Sequence, residues 1–496
     1  MKNYIYFLLI IITFSSCKKF LDVQPESDVT KEDLFKTEEG FKEALNGVYN
    51  LAAEQKLYGG NLTFSNLDIM AQNYEFTSLE NRLIQSFSYT DASFIRRNDE
   101  IWAAAYSTIA NVNTILENAE KNKSVLYDNN YELIKGEALT LRAYLHFDLL
   151  RMFAPSFASK PTGTAIPYVT TVTIKSTPFS NVTQVLDKII ADLTEAKQLL
   201  KQADPILASS YVVGYPEKTY PGGFPENRKS TETKSGSLFL QNRRHRMNYY
   251  TVCGELARVY LYKNDQVNSL ASAKEVIDSK KFPWTTQADF FNLDAEQRDK
   301  SFYPEIISGW FVPKSQDLVR ALFWREAPDY APTITQKDII YEKGSVGADD
   351  WRFRNWFLDM PSSTSAGRSL FLKYTWNGTP YRNMHPLLAP AMRLSEMYYI
   401  AAESSFDSDP VKATAYVDSV RFHRGIGTVI PKTINRPDFI KKLVEEARKE
   451  FYGESQIFYM HKRLNRDIIN TNGMIYPASD KIFVFPLPLD EIGYRN

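Results

Sequence analysis

Apolar residues recur at helical spacing in segment after segment of this chain, and most of the segments come in neighbouring pairs. Residues three and four apart share one helix face, so each such stripe must find another apolar face to cover it. The first stripe is Ile101, Ala105, Ile109, Val112 and Leu116, widened by Trp102 and Tyr106. The second, Ile134, Ala138, Leu141, Leu145, Leu149 and Met152, stops before Pro155. The polar link 122–130 between them predicts two antiparallel helices. A third helix is predicted through Val185, Ile189, Leu193, Ala196 and Leu200, capped by Asn181 or Thr183.

Two further pairs follow, Cys253 to Tyr262 with Ala271 to Ile277, and Leu394 to Ser404 with Ala413 to Val420; a last strong helix runs from about Phe439 to Phe451. Small residues at the crossings, an aromatic on the first helix and a tight polar turn resemble tetratricopeptide-type hairpins, at irregular spacing. The predicted fold is therefore mainly α, with divergent tetratricopeptide-like helical pairs as scaffold at about 40–60, 95–155, 181–200, 247–280, 391–424 and 437–463. Irregular insertions with short strands, such as Glu305 to Val312, fall at 61–94, 203–245 and 281–390. Insertions this long are usually functional or disordered, and the aromatic content of 281–390 argues that it folds. The run Glu445 to Glu454 reads as structural ion pairing along one helix.

Six of the seven tryptophans lie between Trp284 and Trp376, less than a fifth of the chain. A flat ring can stack on the C–H face of a sugar, which makes Trp310, Trp324, Trp351 and Trp356 candidate stacking platforms; the competing role is to fill the insertion's own core. A second candidate cluster is Asp68, Asn73 and Tyr74, where amide and carboxylate groups interleave with rings. Asp349-Asp350 could begin a carboxylate pair but reads better as a solvated turn.

Lys+Arg and Asp+Glu both number 59, so no nucleic-acid footprint is present. Five scattered histidines, with no H-E-x-x-H, leave no catalytic zinc motif; phosphate-cradling loops and the G-x-S-x-G elbow are also missing. No enzyme motif and no cofactor is expected. A structural calcium has no D-x-[DN]-x-[DN]-G loop behind it. Two cysteines rule out a disulfide framework. Lys2, the apolar run Ile5 to Phe14 and Ser15-Ser16-Cys17 describe a secretory signal ending in a lipobox-like segment. Cys17 is then the lipidated first residue of a mature domain spanning 17–496, after a 1–16 signal peptide, and Cys253 is left as a small buried apolar residue.

Several segments together resemble the SusD/RagB family of Bacteroidetes outer-membrane lipoproteins. They are Cys17-Lys-Lys-Phe-Leu-Asp-Val-Gln-Pro25, Phe41-x-x-Ala44-x-Asn46-Gly47-x-Tyr49, and Gly136 to Tyr144 with Phe147 to Arg151. Leu256 to Leu261, Arg393 to Glu403, Glu446 to Glu454 through Lys462-Arg463, and Phe485 to Ile492 complete the set. The resemblance implies a surface lipoprotein in the outer membrane that caps a SusC-like TonB-dependent transporter. It also implies capture of oligosaccharide, or of peptide in a RagB-like alternative, on a face built by loops between the helical pairs. Here those loops correspond to Asn66 to Phe76 and the insertion 281–360. A surface glycoside hydrolase using acids of the insertion is the remaining alternative.

Overall fold

The computed structural model describes residues 31–215, 230–293, 298–313, 315–323, 329–360, 367–374 and 388–495. Cys17 and Trp324 lie outside the described residues, as does part of the 203–245 insertion.

The scaffold opens with α1 (Glu38–Ala52), whose N-cap Thr37 accepts from Gly40 N. Two short helices follow, α2 (Asn66–Met70) and α3 (Leu79–Gln85). The first predicted pair is α4 (Ala92–Lys121) and α5 (Asn130–Phe153). The third stripe becomes α6 (Val182–Ala203), and of the two predicted caps Asn181 is the one used, in a full capping box with Gln184. The next pair is α7 (Tyr249–Tyr262) and α8 (Gln266–Asp278). The insertion contributes β1 (Ile306–Phe311), α9 (Ser315–Phe323), α10 (Ile334–Ile340), α11 (Trp351–Asn355), β2 (Phe357–Asp359) and β3 (Ser369–Phe371). After β4 (Leu388–Arg393) the scaffold resumes with α12 (Leu394–Ser405), α13 (Pro410–Phe422), α14 (Arg436–Glu450) and α15 (Ile457–Arg463).

α5 is buried around nearly its whole circumference, because α1, α4 and α6 pack against different sides of it. Its polar side chains therefore need partners. Arg142 forms a bidentate pair with Asp192 at 2.7 Å for both bonds. Glu137 accepts from Tyr49, Arg243 and Arg246. β1 pairs antiparallel with β4, and β2 with β3. The short strand expected at Glu305 to Val312 is thus present, tied to a partner some eighty residues later.

The C-terminal end of α14 fixes the insertion to the scaffold. Glu450 accepts from Arg352 at 2.9 Å and from Arg424 at 2.7 and 2.9 Å, and it also pairs with Arg393. Arg424 reaches on to Glu305 at 2.5 Å, while Lys373 and Arg393 meet Glu454. All of these side chains are buried. Burial opposes ionisation of Glu450, but Arg424, Arg393 and Arg352 outweigh it and hold the carboxyl well below the usual carboxylate range. The ion pairing expected of this run is a buried hub rather than a solvated helix face.

Candidate functional site

A cleft of about 730 Å³ opens where the turns after α1, the start of α4, helix α9 and the strap Asp329-Tyr330 converge. This is the size range of small-ligand sites. The first wall is a run of tight turns from Ala53 to Ser65, in which Phe64 N and Thr63 N both bond to Gly60 O. Gly60 is required there, since a Cβ would lie 2.4 Å from Gln55 O. The run presents Glu54, Gln55 and Lys56, all exposed, with half-buried Asn61 beside them.

The second wall is set by Asp329. Its carboxylate accepts from Thr77 N (2.9 Å), Ser78 N (3.1 Å), Ser78 Oγ (2.7 Å) and Asn81 Nδ2 (2.5 Å). Partial burial would raise this carboxyl, but the bonds from Ser78, Asn81 and Thr77 win and hold it below the usual carboxylate value. A bridge from Glu75 N to Ala331 O (3.2 Å) and Arg368, which donates to Ala331 O (2.8 Å) and Asp329 O (3.0 Å), complete the clamp. The insertion and the segment after α2 are thereby held side by side.

Arg97 on α4 donates to Glu80 at 2.5 Å and to Asn81 at 3.3 Å, while its Nη1 is buried without a hydrogen-bond partner. Arg96 is exposed, between Glu80 and Glu100. The cleft thus offers amides, a hydroxyl at Ser65, and charges of both signs largely paired with one another. Such walls suit a ligand with many hydroxyl groups and no strong net charge. Among the described residues, no group of three or more His, Cys, Asp or Glu is placed to hold a metal ion.

A family model described as "Starch-binding associating with outer membrane" matches residues 19–207. Two SusD-like proteins of Formosa agariphila are similar, one 27% identical over 208 residues and one 23% identical over 172. These matches take in 40% and 32% of this chain, and 38% and 32% of the relatives' own length. The fold extends further. A SusD-like carbohydrate binding protein of Bacteroides vulgatus superposes with a TM-score of 0.70 at 18% identity, over 92% of this chain and 96% of that one. A SusD superfamily protein of Bacteroides thetaiotaomicron gives 0.68 at 17% identity, over 92% and 98%. Residues 19–207 are thus similar to the SusD-like family, and the chain has the SusD-like fold over most of its length.

In this SusD-like chain the two segments expected to carry the ligand face do come together, but the side chains proposed in them point elsewhere. Trp310 is 2% exposed and lies face to face with Tyr58, ring centroids 4.4 Å apart and 6° from parallel. Trp356 is fully buried, with Nε1 donating to Lys300 O at 2.7 Å and Lys373 Nζ 4.4 Å from its ring. Trp351 packs over Gly425 and against Phe290, 6.0 Å between centroids. None of the three offers a face to a sugar: Trp351 and Trp356 fill the insertion's core, the competing role for these rings, while Trp310 packs into the scaffold against Tyr49, Tyr58 and Tyr144. Trp324 lies outside the described residues.

Asp68, Asn73 and Tyr74 are also fully buried. Tyr74 packs edge-on to Tyr330 and Tyr452, and Asn73 Oδ1 accepts from Arg448 Nε at 2.8 Å. Burial pushes the Asp68 carboxyl up to about 7, with the Tyr74 hydroxyl and Ser455 N–H only partly offsetting it. These residues seat the cleft's wall from behind rather than line it. Asp350 departs from the solvated-turn reading, being buried as the N-cap of α11 and paired with Arg352 at 2.7 Å. Cys253 is buried, as expected.

Asn61, Asn81, Arg97 and Asp329, which line the cleft, carried no signal in the sequence. Arg96-Arg97 reads as the solvated side of the α4 stripe, and Asp329 as an ordinary loop acid.

Proposed function

We propose that this SusD-like chain is a non-catalytic, cell-surface glycan-binding lipoprotein, anchored in the outer membrane through Cys17, that captures oligosaccharide in the Asp329 cleft and delivers it to a SusC-like TonB-dependent transporter. The observation that carries the reading is the cleft itself, a polar groove of about 730 Å³ held open by the clamp between Asp329 and residues 77–81. The family description of starch binding at the outer membrane supports the ligand class and the location. No helix among the described residues is long and apolar enough to cross a membrane, so a lipid on Cys17 supplies the attachment in this reading.

Hydrogen bonding carries recognition, because the described tryptophans of the insertion are committed to packing. Calorimetry of the unlipidated mature chain against a panel of neutral and acidic oligosaccharides tests this. One glycan is expected to bind, and Asn61→Ala and Arg97→Ala each to weaken it about tenfold or more, roughly 1.4 kcal/mol. Long incubation with that glycan is expected to release no reducing ends. The charged rim of Glu54, Lys56 and Arg96 also suits an extended peptide, and binding of peptides with no glycan bound would replace the glycan reading by the peptide one.

A further inference from the structure

The chain contains three Asn-Gly pairs, Asn46-Gly47, Asn377-Gly378 and Asn472-Gly473. Glycine has no Cβ to shield its own nitrogen, so in such a pair that nitrogen can reach the side-chain carbonyl carbon of the asparagine before it. Asn377-Gly378 lies outside the described residues. The fold treats the other two differently, although both asparagines are exposed.

Asn46-Gly47 lies in the interior of α1, where the Gly47 N–H is committed to the helix, and Asn46 Oδ1 accepts from Arg246 Nη1 at 2.9 Å. Asn472-Gly473 forms the tip of a hairpin whose strands, Ile468–Ile469 and Ile475–Tyr476, pair antiparallel. The tip is organised by Asn470, whose Oδ1 accepts from Asn472 N (3.0 Å) and Met474 N (2.8 Å) and whose carbonyl accepts from Gly473 N (3.1 Å). Gly473 takes φ +83°, with open space where a Cβ would stand. The side-chain amide of Asn472 has no hydrogen-bond partner among the described residues. One exposed turn bond therefore restrains the Gly473 nitrogen, and a bond at a hairpin tip opens far more readily than one inside a packed helix.

We propose that Asn472 is a self-modification site, where the chain deamidates without an enzyme. The Gly473 nitrogen gives up its proton and attacks Cγ of Asn472; the Cγ–Nδ2 bond breaks and ammonia carries the proton away, leaving a five-membered succinimide. Water then adds across one of the two bonds from the imide nitrogen to a carbonyl carbon, giving aspartate through one and isoaspartate through the other. The sum is amide plus water to carboxylic acid plus ammonia. The new carboxylate puts a negative charge on a tip flanked by Ile469, Met474 and Ile475, each more than half exposed.

Ageing the unlipidated mature chain in mildly alkaline heavy-oxygen water, followed by peptide mapping, tests the assignment. The peptide carrying Asn472 is expected to resolve into two deamidated products, each with a single heavy oxygen, formed more than about tenfold faster than any at Asn46. In urea the two sites are expected to react at similar rates, since the fold is what separates them. Asn472→Gln lengthens the side chain, disfavours ring closure and is expected to abolish both products at that position. Asn472 left intact in the folded chain while the urea-unfolded chain reacts, or Asn46 reacting as fast as Asn472 in the folded chain, overturns the proposal. A preference for Asn472 that persists undiminished in urea places the selectivity in local sequence and overturns it too.

Discussion

Glu450 gathers Arg352, Arg393 and Arg424 around one buried carboxylate, and the three guanidinium groups come from three different parts of the chain. A pair of this kind adds little net stability over an apolar replacement, but removing one partner strands the others in a low-dielectric site. Glu450→Gln keeps the shape and removes the charge; it is expected to lower unfolding free energy by roughly 3–5 kcal/mol in urea titrations. A loss below about 1 kcal/mol would mean that the arginines find other partners or water. The same scale explains the tryptophans. A large ring in a Gly-poor, irregular insertion has two uses, platform or filler, and the choice depends on whether a partner such as Tyr58 stands opposite it. Neighbouring residues along the sequence do not contain that information.

At the scale of elements, the helices follow from periodicity and capping, and their ends follow from local chemistry. Asn181 stops and starts the chain at α6 through its own side chain, so the boundary is readable directly. α5 is different. Its sequence shows a stripe, yet nearly every side of the helix is covered, because Arg142 pairs with Asp192 on α6, Glu137 with Tyr49 on α1 and Arg243 in the 203–245 insertion, and Asp148 accepts from Tyr58 in the turns after α1. Polar residues marked it as one-sided only because their partners are far away in the chain. The turn after α13 is equally non-local. Gly425 has φ +85°, and a Cβ there would lie 2.2 Å from Trp351 Nε1 and 2.6 Å from Asp349 O. Gly425→Ala is therefore expected to cost roughly 2–3 kcal/mol and to displace Trp351, read by denaturation and tryptophan fluorescence. An unchanged emission spectrum with full stability would show that the turn relaxes freely.

For the molecule as a whole, buried ionisable groups make stability depend on pH in opposing ways. Burial pushes Asp68 and Glu255 up to about 7 and Asp299 up to about 6. The fold favours their neutral forms, so their contribution is complete below pH of about 4 and is lost as pH rises toward 7. His146 runs the other way. Burial drops it to about 3, and its neutral ring accepts from Val169 N (3.0 Å) while Nδ1 bonds Arg142 O (2.8 Å). Its contribution is complete above about pH 6.5 and is lost as pH falls toward 3. Asp68→Asn isolates one term. The stability of the parent relative to this variant is expected to fall by about 2–4 kcal/mol between pH 4 and pH 7 and then level off. A difference that stays constant across that window would show that Asp68 titrates as an exposed acid. Because Asp68 sits in α2, behind the cleft wall, this dependence belongs to the same joint that shapes the cleft.

Local information determined much of this protein. Stripe spacing, caps and turn residues placed the helical pairs, and the segment set from Cys17 to Ile492 carried the resemblance to the SusD/RagB family. The insertions 61–94 and 281–390, which meet at the cleft, were legible too, since both lie outside the stripes. Which side chains line the cleft was decided only by tertiary structure. Asp329 becomes a clamp because Thr77, Ser78 and Asn81 lie beside it, some 250 residues earlier in the chain. Trp310, Trp351, Trp356, Asp68, Asn73 and Tyr74 become core because partners from distant elements cover them. Secondary structure depends on neighbours in sequence, while exposure depends on neighbours in space, and a binding surface is defined by exposure.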